Sequence, residues 1–180
     1  MARYVALLRG INVGGSNVIR MADLRACFEA QGFGDVSTYI QSGNVLFSVS
    51  GSSRTLARGI ERTLASTFGY PASIVLRSEQ QLRAVVEGAP RGFGARPEEY
   101  RYDVAFLKEP LTAEAALAVV PVRDGVDRVW AGQGALYLSR LIARAAESRV
   151  TRLIGQPIYQ SMTLRNWNTT TKLLGLMERA

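Results

Sequence analysis

The sequence contains no histidine, a single cysteine (Cys27) and only two lysines, Lys108 and Lys172, among 180 residues. The missing histidine removes Ser-His-Asp and Cys-His nucleophile activation, the usual general base near neutral pH, and the commonest zinc ligand. One cysteine allows no intrachain disulfide, and together the two shortages exclude a structural zinc site. A chain without disulfides fits a reducing compartment. A magnesium site built of carboxylate oxygens stays open, but no set of metal ligands is singled out. Long apolar runs are also missing. Tyr4 to Leu8 is interrupted by Arg9, short of the ~7–15 residues of a secretory signal. No run approaches the ~18 residues of a membrane span. We expect a soluble cytoplasmic protein with no membrane partner.

What is present is apolar material and arginine. The chain is 47% hydrophobic and 21% charged, enough to bury a core in one domain or two small ones. The net charge is +7, and 20 of the 22 basic residues are arginine. Residues 1–80 carry 8 basic and 5 acidic side chains, residues 81–139 carry 7 and 8, and residues 140–180 carry 7 and 2. The excess therefore gathers at the C-terminal end. It reads either as the codon bias of a GC-rich genome or as a patch for anions and nucleic acid, since arginine suits bidentate phosphate recognition.

Val5 and Leu7 alternate with Ala6 and Leu8, so the strand at 3–9 has two apolar faces and belongs inside a sheet. Met21, Leu24 and Phe28 recur at helical spacing, with Cys27 beside them as a small buried side chain. Gly32 suits the end of that helix, and Phe33 can fold back over its last turn. Val36 to Gln41 and Asn44 to Val49 read as strands joined by a two-residue turn at Ser42-Gly43 or Gly43-Asn44. Leu56, Ile60, Leu64 and Phe68 predict a second helix, ended by Gly69 and Pro71. A strand at 73–77 follows. Ser78 and Gln81 then form a capping box that opens a third helix with Leu82, Val85 and Val86 inward.

Residues 88–97, with three glycines and with Pro90 and Pro97 at each end of the arginine-containing core, form the linker candidate. Beyond it come a strand at 102–107, a short helix capped by Thr112, and strands around Val129 and at 135–138. Helical segments at roughly 141–154 and 164–178 follow, with Ser148 breaking or capping the first. The first half reads β-α-β-β-α-β and the second β-α-β-β-α-α. The expected class is α+β: two small packed subdomains, a ferredoxin-like one at 1–88 and a second at 101–180, with a linker at 89–100.

In a split β-α-β unit the third strand inserts antiparallel between the first two. The end of strand one then lies beside the hairpin between strands two and three. Arg9, Asn12, Gly14, Gly15, Ser16 and Asn17 would share that edge with Gln41, Ser42 and Asn44, next to the first helix's N-terminus. The loop lacks the Gly-Lys-Ser/Thr of a P-loop and the Gly-x-Gly-x-x-Gly dinucleotide fingerprint. It reads either as a polar ligand site or as a long connection shaped by its own asparagines and glycines. A second candidate is the helix beginning near Thr163. Leu164, Trp167, Thr171 and Leu174 mark its apolar face. Arg165, Asn166, Asn168, Thr169 and Lys172 lie off that stripe, as a solvated face or an anion-binding terminus. Glu98-Glu99 and the pair Asp124 and Asp127 read as surface rather than a catalytic dyad, and no catalytic residue or cofactor emerges.

YVALLRGINVGGSN, MADLRACFEAQGF, TYIQSGNVLFS and TLRNWNTTTKLLGL together resemble a bacterial family known as domain of unknown function 1697. The resemblance implies a two-part α+β fold with a ferredoxin-like first half and supplies no catalytic residue, cofactor or substrate. The sequence departs from the family pattern at 140–147, where Arg-Leu-Ile-Ala-Arg-Ala-Ala-Glu replaces a loop with proline and glycine. Three functions are carried forward. The first is binding of a small anionic ligand or nucleotide at the strand-one loop, with or without enzyme activity. The others are nonspecific nucleic-acid binding by the basic C-terminal region and a protein-interaction module. The first sheet disfavours RNA recognition by stacking, because VALLRG and NVLFSV offer only Phe47. Oligomeric state is left open.

Overall fold

β1 (Ala2–Arg9) and β3 (Asn44–Val49) are the central strands of a four-stranded antiparallel sheet ordered β2-β3-β1-β4, with β2 at Gly34–Tyr39 and β4 at Ser73–Ser78. The coordinates are a computed structural model that describes residues 1–12, 15, 17–50 and 55–179. Contacts divide the chain into two units: Met1–Leu82 with Leu173–Ala180, and Arg83–Lys172. In the first unit β3 lies antiparallel between β1 and β2, as a split β-α-β arrangement requires. The helices of this unit are α1 (Met21–Glu29) and α2 (Leu56–Phe68). Tyr4, Ala6 and Leu8 of β1 pack with Leu24 and Phe28 of α1 and with Ile60 and Leu64 of α2. Val5 and Leu7, pointing the other way, are also fully buried. Full burial of each such aliphatic or aromatic side chain is worth about 1.5–3 kcal/mol.

Local signals decide where these elements stop. Gly69 takes a left-handed conformation (φ 70°) and its N–H bonds the Ala65 carbonyl, ending α2. The rings of Phe28 and Phe33 meet at 5.9 Å as the chain folds back after α1. The β2–β3 connection corrects the two-residue turn, because Tyr39 pairs directly with Asn44 and leaves four residues between them. One nonlocal and one local bond hold the longer loop. Leu8 N–H donates to the Gly43 carbonyl at 2.8 Å, and Asn44 Nδ2 donates to the Tyr39 carbonyl at 2.9 Å. Gly43 sits at φ +80°, where a Cβ would come within 2.6 Å of Ile11 Cδ1. No other residue fits there without displacing that side chain.

The capping box at the start of α3 (Glu79–Glu87) forms in both directions. Gln81 N–H bonds Ser78 Oγ at 3.2 Å, and Ser78 N–H bonds Gln81 Oε1 at 2.9 Å. The division between the units falls inside α3, and again inside α5 (Trp167–Glu178). Arg3 Nη1 donates to the Met177 carbonyl at 2.6 Å, which ties the last turns of α5 to β1 within the first unit.

The second unit holds another four-stranded antiparallel sheet, ordered β6-β7-β5-β8. Its strands are β5 (Tyr100–Leu107), β6 (Asp127–Gly132), β7 (Ala135–Leu141) and β8 (Met162–Asn166). α4 (Ala113–Leu117) begins where Thr112 accepts from Ala115 N–H. It packs Ala113 and Ala116 against Ala105, Leu107, Leu136 and Leu138.

Two expectations for this half are overturned. Residues 141–154 are not α-helical: Ile142–Glu147 and Val150–Gly155 are separate 3₁₀ turns, broken at Ser148 in extended conformation. Every side chain from 142 to 147 is exposed, so no apolar stripe anchors a helix. Asp127 instead captures Ser148 Oγ (2.6 Å) and the N–H groups of Arg149 (2.8 Å) and Val150 (3.4 Å). Thr163 is not a helix cap either, because residues 162–166 form β8 against Asp103–Leu107. The cap of α5 is Asn166, whose Oδ1 accepts from Thr169 N–H at 2.7 Å. The stripe along α5 shifts accordingly: Thr169, Thr170, Leu173, Leu174 and Met177 are buried, and Trp167 is half-buried. Among the described residues no helix is long and apolar enough to cross a membrane.

Candidate functional site

The topology brings the strand-one loop to the β2–β3 hairpin. Asn12 Nδ2 donates to the Gln41 carbonyl at 2.9 Å and to the Ile19 carbonyl at 3.0 Å, while its Oδ1 accepts from Ile19 N–H at 2.8 Å. Asn17 Nδ2 donates to the Gly10 carbonyl at 3.0 Å, and Asn12 N–H to the Asn17 carbonyl at 3.2 Å. Both asparagines take positive φ, 53° and 50°, which asparagine tolerates better than most residues. Asn44 is fully buried and also donates to Ser42 Oγ. Arg9 ends β1 opposite Ser73, Gly15 is exposed at φ 78°, and the side chains of Gln41 and Ser42 are exposed. Gly14 and Ser16 lie outside the described residues. Asn12, Asn17 and Asn44 thus direct their amides at backbone and neighbouring hydroxyl groups, which shapes the loop from within.

The C-terminal candidates do not share one surface. Arg165 is buried in β8, where Nη1 donates to Thr163 Oγ1 (2.9 Å) and the Leu164 carbonyl (2.8 Å). Burial pulls its pKa down to about 10. Thr169 is buried as well, whereas Asn166 caps the helix and Asn168 and Lys172 are exposed.

A third constellation lies wholly in the second unit, on the sheet face opposite α4. Side chains alternate along a strand. Tyr100 and Tyr102 of β5 therefore share that face with Trp130 and Arg128 of β6 and Tyr137 of β7, through the pairs Val104↔Tyr137, Trp130↔Tyr137 and Arg128↔Ser139. Phe93, from the glycine-rich stretch before β5, sits edge-on among them. Its ring centroid is 4.9 Å from Tyr102, 6.0 Å from Trp130, 5.5 Å from Tyr137 and 5.1 Å from Trp167. Gly94 makes that approach possible, since it has φ +83° and a Cβ there would overlap the Trp167 indole. Tyr137 is an internal strut, fully buried with its hydroxyl donating to the Val85 carbonyl at 2.6 Å. Burial raises its pKa.

Around Phe93 opens a recess of about 150 Å3, bordered by Tyr102, Trp130, Arg91, Arg96 and Arg128. Phe93, Tyr100, Tyr102 and Trp130 are half-buried, and the three arginines are exposed. Arg96 pairs with Glu99 through Nε–Oε1 at 2.9 Å and a second contact from Nη2 to Oε2, with its Cζ 5.4 Å above the Tyr100 ring. Glu99 raises the Arg96 pKa through that hydrogen-bonded pair. Arg91 and Arg128 have no carboxylate partner among the described residues. The arrangement presents aromatic edges and faces to a planar group and unpaired guanidiniums to an anion. Among the described residues no three Cys, Asp or Glu side chains cluster as metal ligands. Sequence reasoning missed this site. The available signal was the period-two repeat of Tyr100 and Tyr102, followed one strand later by Arg128 and Trp130.

A family model described as "Protein of unknown function (DUF1697)" matches residues 1–137. The chain is also similar to a conserved bacterial protein from Streptococcus pneumoniae whose structure is solved. The two share 27% sequence identity and a TM-score of 0.85, and the likeness covers 98% of each chain. No curated protein matches the chain.

Proposed function

The chain belongs to the DUF1697 family, and we propose that it is a nucleotide-binding protein whose base-binding site is the recess around Phe93. One observation carries the reading: half-buried Tyr102 and Trp130 border a recess that Arg91 and Arg128 also border, with neither arginine held by a carboxylate among the described residues. A nucleotide pairs a planar ring with an anionic phosphate, and this recess offers a complement to each. Stacking a base on an aromatic side chain contributes ~1–3 kcal/mol. An arginine fork adds directional bonds to phosphate oxygens. The net charge of +7 favours approach of any anion, which supports association without adding selectivity.

The strand-one loop is the weaker candidate for the same role. Asn12 and Asn17 would have to give up bonds that hold the loop before they could contact a ligand. Nonspecific phosphate attraction by the basic C-terminal end needs no ring, so a ligand without one separates it from base binding.

The test is calorimetric titration of the full chain with uridine 5′-monophosphate and, separately, with inorganic phosphate. We expect saturable binding of the nucleotide that is at least tenfold tighter than binding of phosphate. Trp130→Ala should weaken it about 5- to 150-fold, the range one lost stacking contact implies. Arg128→Ala, an exposed change, should weaken it too while leaving thermal stability unaltered. Nucleotide and phosphate binding equally, or full affinity in both variants, overturns the proposal.

A further inference from the structure

We infer that the natural ligand is a strand rather than a single nucleotide: single-stranded nucleic acid laid from the recess around Phe93, across Tyr100, into a second recess beside it. The inference rests on the base-binding role proposed for the first recess and extends it to a second nucleotide position.

Size and continuity both point beyond one ring. The first recess, at about 150 Å3, is half the lower end of the ~300–1,000 Å3 range of small-molecule sites. It takes a base and leaves the rest of a ligand outside. The second recess, about 350 Å3, is lined by Pro97, Tyr100, Arg101, Arg140, Ile142 and Ala145. Tyr100 borders both, so the two cavities meet at one ring. Tyr100 and Tyr102 stand two residues apart on the same face of β5, their ring centroids 6.1 Å apart. They form successive platforms along the strand.

The second recess lies at the end of the β5–β7 pair, lined by residues entering β5 and residues leaving β7. There Tyr100 pairs with Leu141 and Arg101 with Arg140, and Ile142 and Ala145 follow directly after β7. Tyr100 and Arg101 alternate to opposite faces of β5 and both border this recess.

Charge supplies the backbone contacts. Arg101 and Arg140 face one another across β5 and β7. Asp103 lies 3.8 Å from Arg140, with about one-fifth of each side chain exposed, and offsets part of that charge. Arg101 is exposed and has no ion pair within bonding distance among the described residues. Ile142, 48% exposed at the rim, and Pro97 offer apolar surface for a second base. Arg91 and Arg128 thus border the first recess and Arg101 the second, with the Tyr100 ring common to both, a mix of cations and rings that suits single strands. A duplex does not fit this pattern, because its bases are already stacked on each other and paired.

Fluorescence anisotropy of the full chain with labelled tetrathymidylate, alongside calorimetry with thymidine 5′-monophosphate, tests this. The tetranucleotide should bind at least tenfold more tightly than the monophosphate. Its affinity should fall with salt at a log–log slope steeper by about −0.7 for each added phosphate contact. Arg101→Ala should lower tetranucleotide affinity at least fivefold, and Arg101→Glu further, while both keep monophosphate affinity within twofold and unfold at the wild-type temperature. A tetranucleotide no tighter than the monophosphate overturns the strand inference and leaves the proposed base site standing. So does unchanged tetranucleotide affinity in both Arg101 variants, or a labelled duplex that binds as well as the single strand. Binding of neither ligand removes the base site itself.

Discussion

Replacing Asp127 should unhinge the second unit in a way that separates hydrogen bonding from charge. Its Oδ2 accepts from Arg123 N–H (2.8 Å), Arg149 N–H (2.8 Å) and Val150 N–H (3.4 Å), and its Oδ1 accepts from Ser148 Oγ (2.6 Å). The residue is 5% exposed. Asp127→Ala strands three amides and a buried hydroxyl. At roughly 1–3 kcal/mol for each buried group left unsatisfied, with part recovered by water, the cost is about 3–5 kcal/mol. Asp127→Asn keeps a carbonyl for the amides and turns its NH2 toward Ser148, whose hydroxyl oxygen can accept. It loses only the charge assistance, about 1–2 kcal/mol.

The pH dependence follows from the same bonds. Burial opposes the charged form of Asp127, but the Ser148 hydroxyl and the three amides outweigh it and hold the carboxyl below its ordinary value. A depressed pKa means that the unfolded chain binds this proton first as pH falls. The stabilisation is therefore complete above the unfolded value of about 3.9 and is lost as pH drops through the lower folded value. Urea unfolding at pH 7, followed by Trp130 and Trp167 fluorescence, reports on the unit that contains both indoles and Asp127. Repeating it toward pH 3 should shrink the gap between wild type and Asp127→Asn. An alanine variant that costs under 1 kcal/mol, or a wild-type–asparagine gap that stays constant with pH, refutes the reasoning.

Three further outcomes are expected. Asn12→Ala loses three hydrogen bonds and places alanine at φ 53°; it should cost about 2–4 kcal/mol by circular-dichroism melts, with nucleotide affinity unchanged by calorimetry. Tyr70 carries a buried hydroxyl with no hydrogen-bond partner among the described residues, and burial pushes its pKa up to about 12. Tyr70→Phe should therefore leave stability unchanged or raise it by about 1 kcal/mol, where a loss above 1 kcal/mol would expose a missed bond. Gly94→Ala meets both a positive φ and the Trp167 indole, so urea midpoints should fall by an amount worth about 2–4 kcal/mol.

Legibility in the sequence followed the range of the interactions. The stop at Gly69, the capping box of Ser78 and Gln81, and the cap at Thr112 are fixed within a few residues, and each formed as read. The antiparallel insertion of β3 between β1 and β2 followed from element order and a buried first strand. Residues 141–154 defeated propensity because Asp127, more than twenty residues upstream, takes the amides a helix would have used. β8 was hidden because Thr163 and Asn166 are both good caps, and only pairing with β5 chooses between them. In the strand-one loop, the neighbours were foreseeable but the direction of each amide was not. The aromatic face required a register that no local pattern carries: Tyr102, Ser139 and Arg128 become neighbours only when β5, β7 and β6 align.

The central claim is that a nucleobase enters the recess beside Trp130, and two-dimensional 1H–15N spectroscopy of the labelled full chain tests it most directly. The two indole N–H resonances are told apart with Trp130→Phe, and the side-chain amides of Asn12 and Asn17 with Asn12→Gln and Asn17→Gln. During titration with uridine 5′-monophosphate, the Trp130 indole resonance should move saturably, with the backbone amides of residues 91–96 and 128–130, while the Asn12 and Asn17 amides stay in place. A stationary Trp130 resonance, with saturable shifts confined to the strand-one loop, would contradict the account.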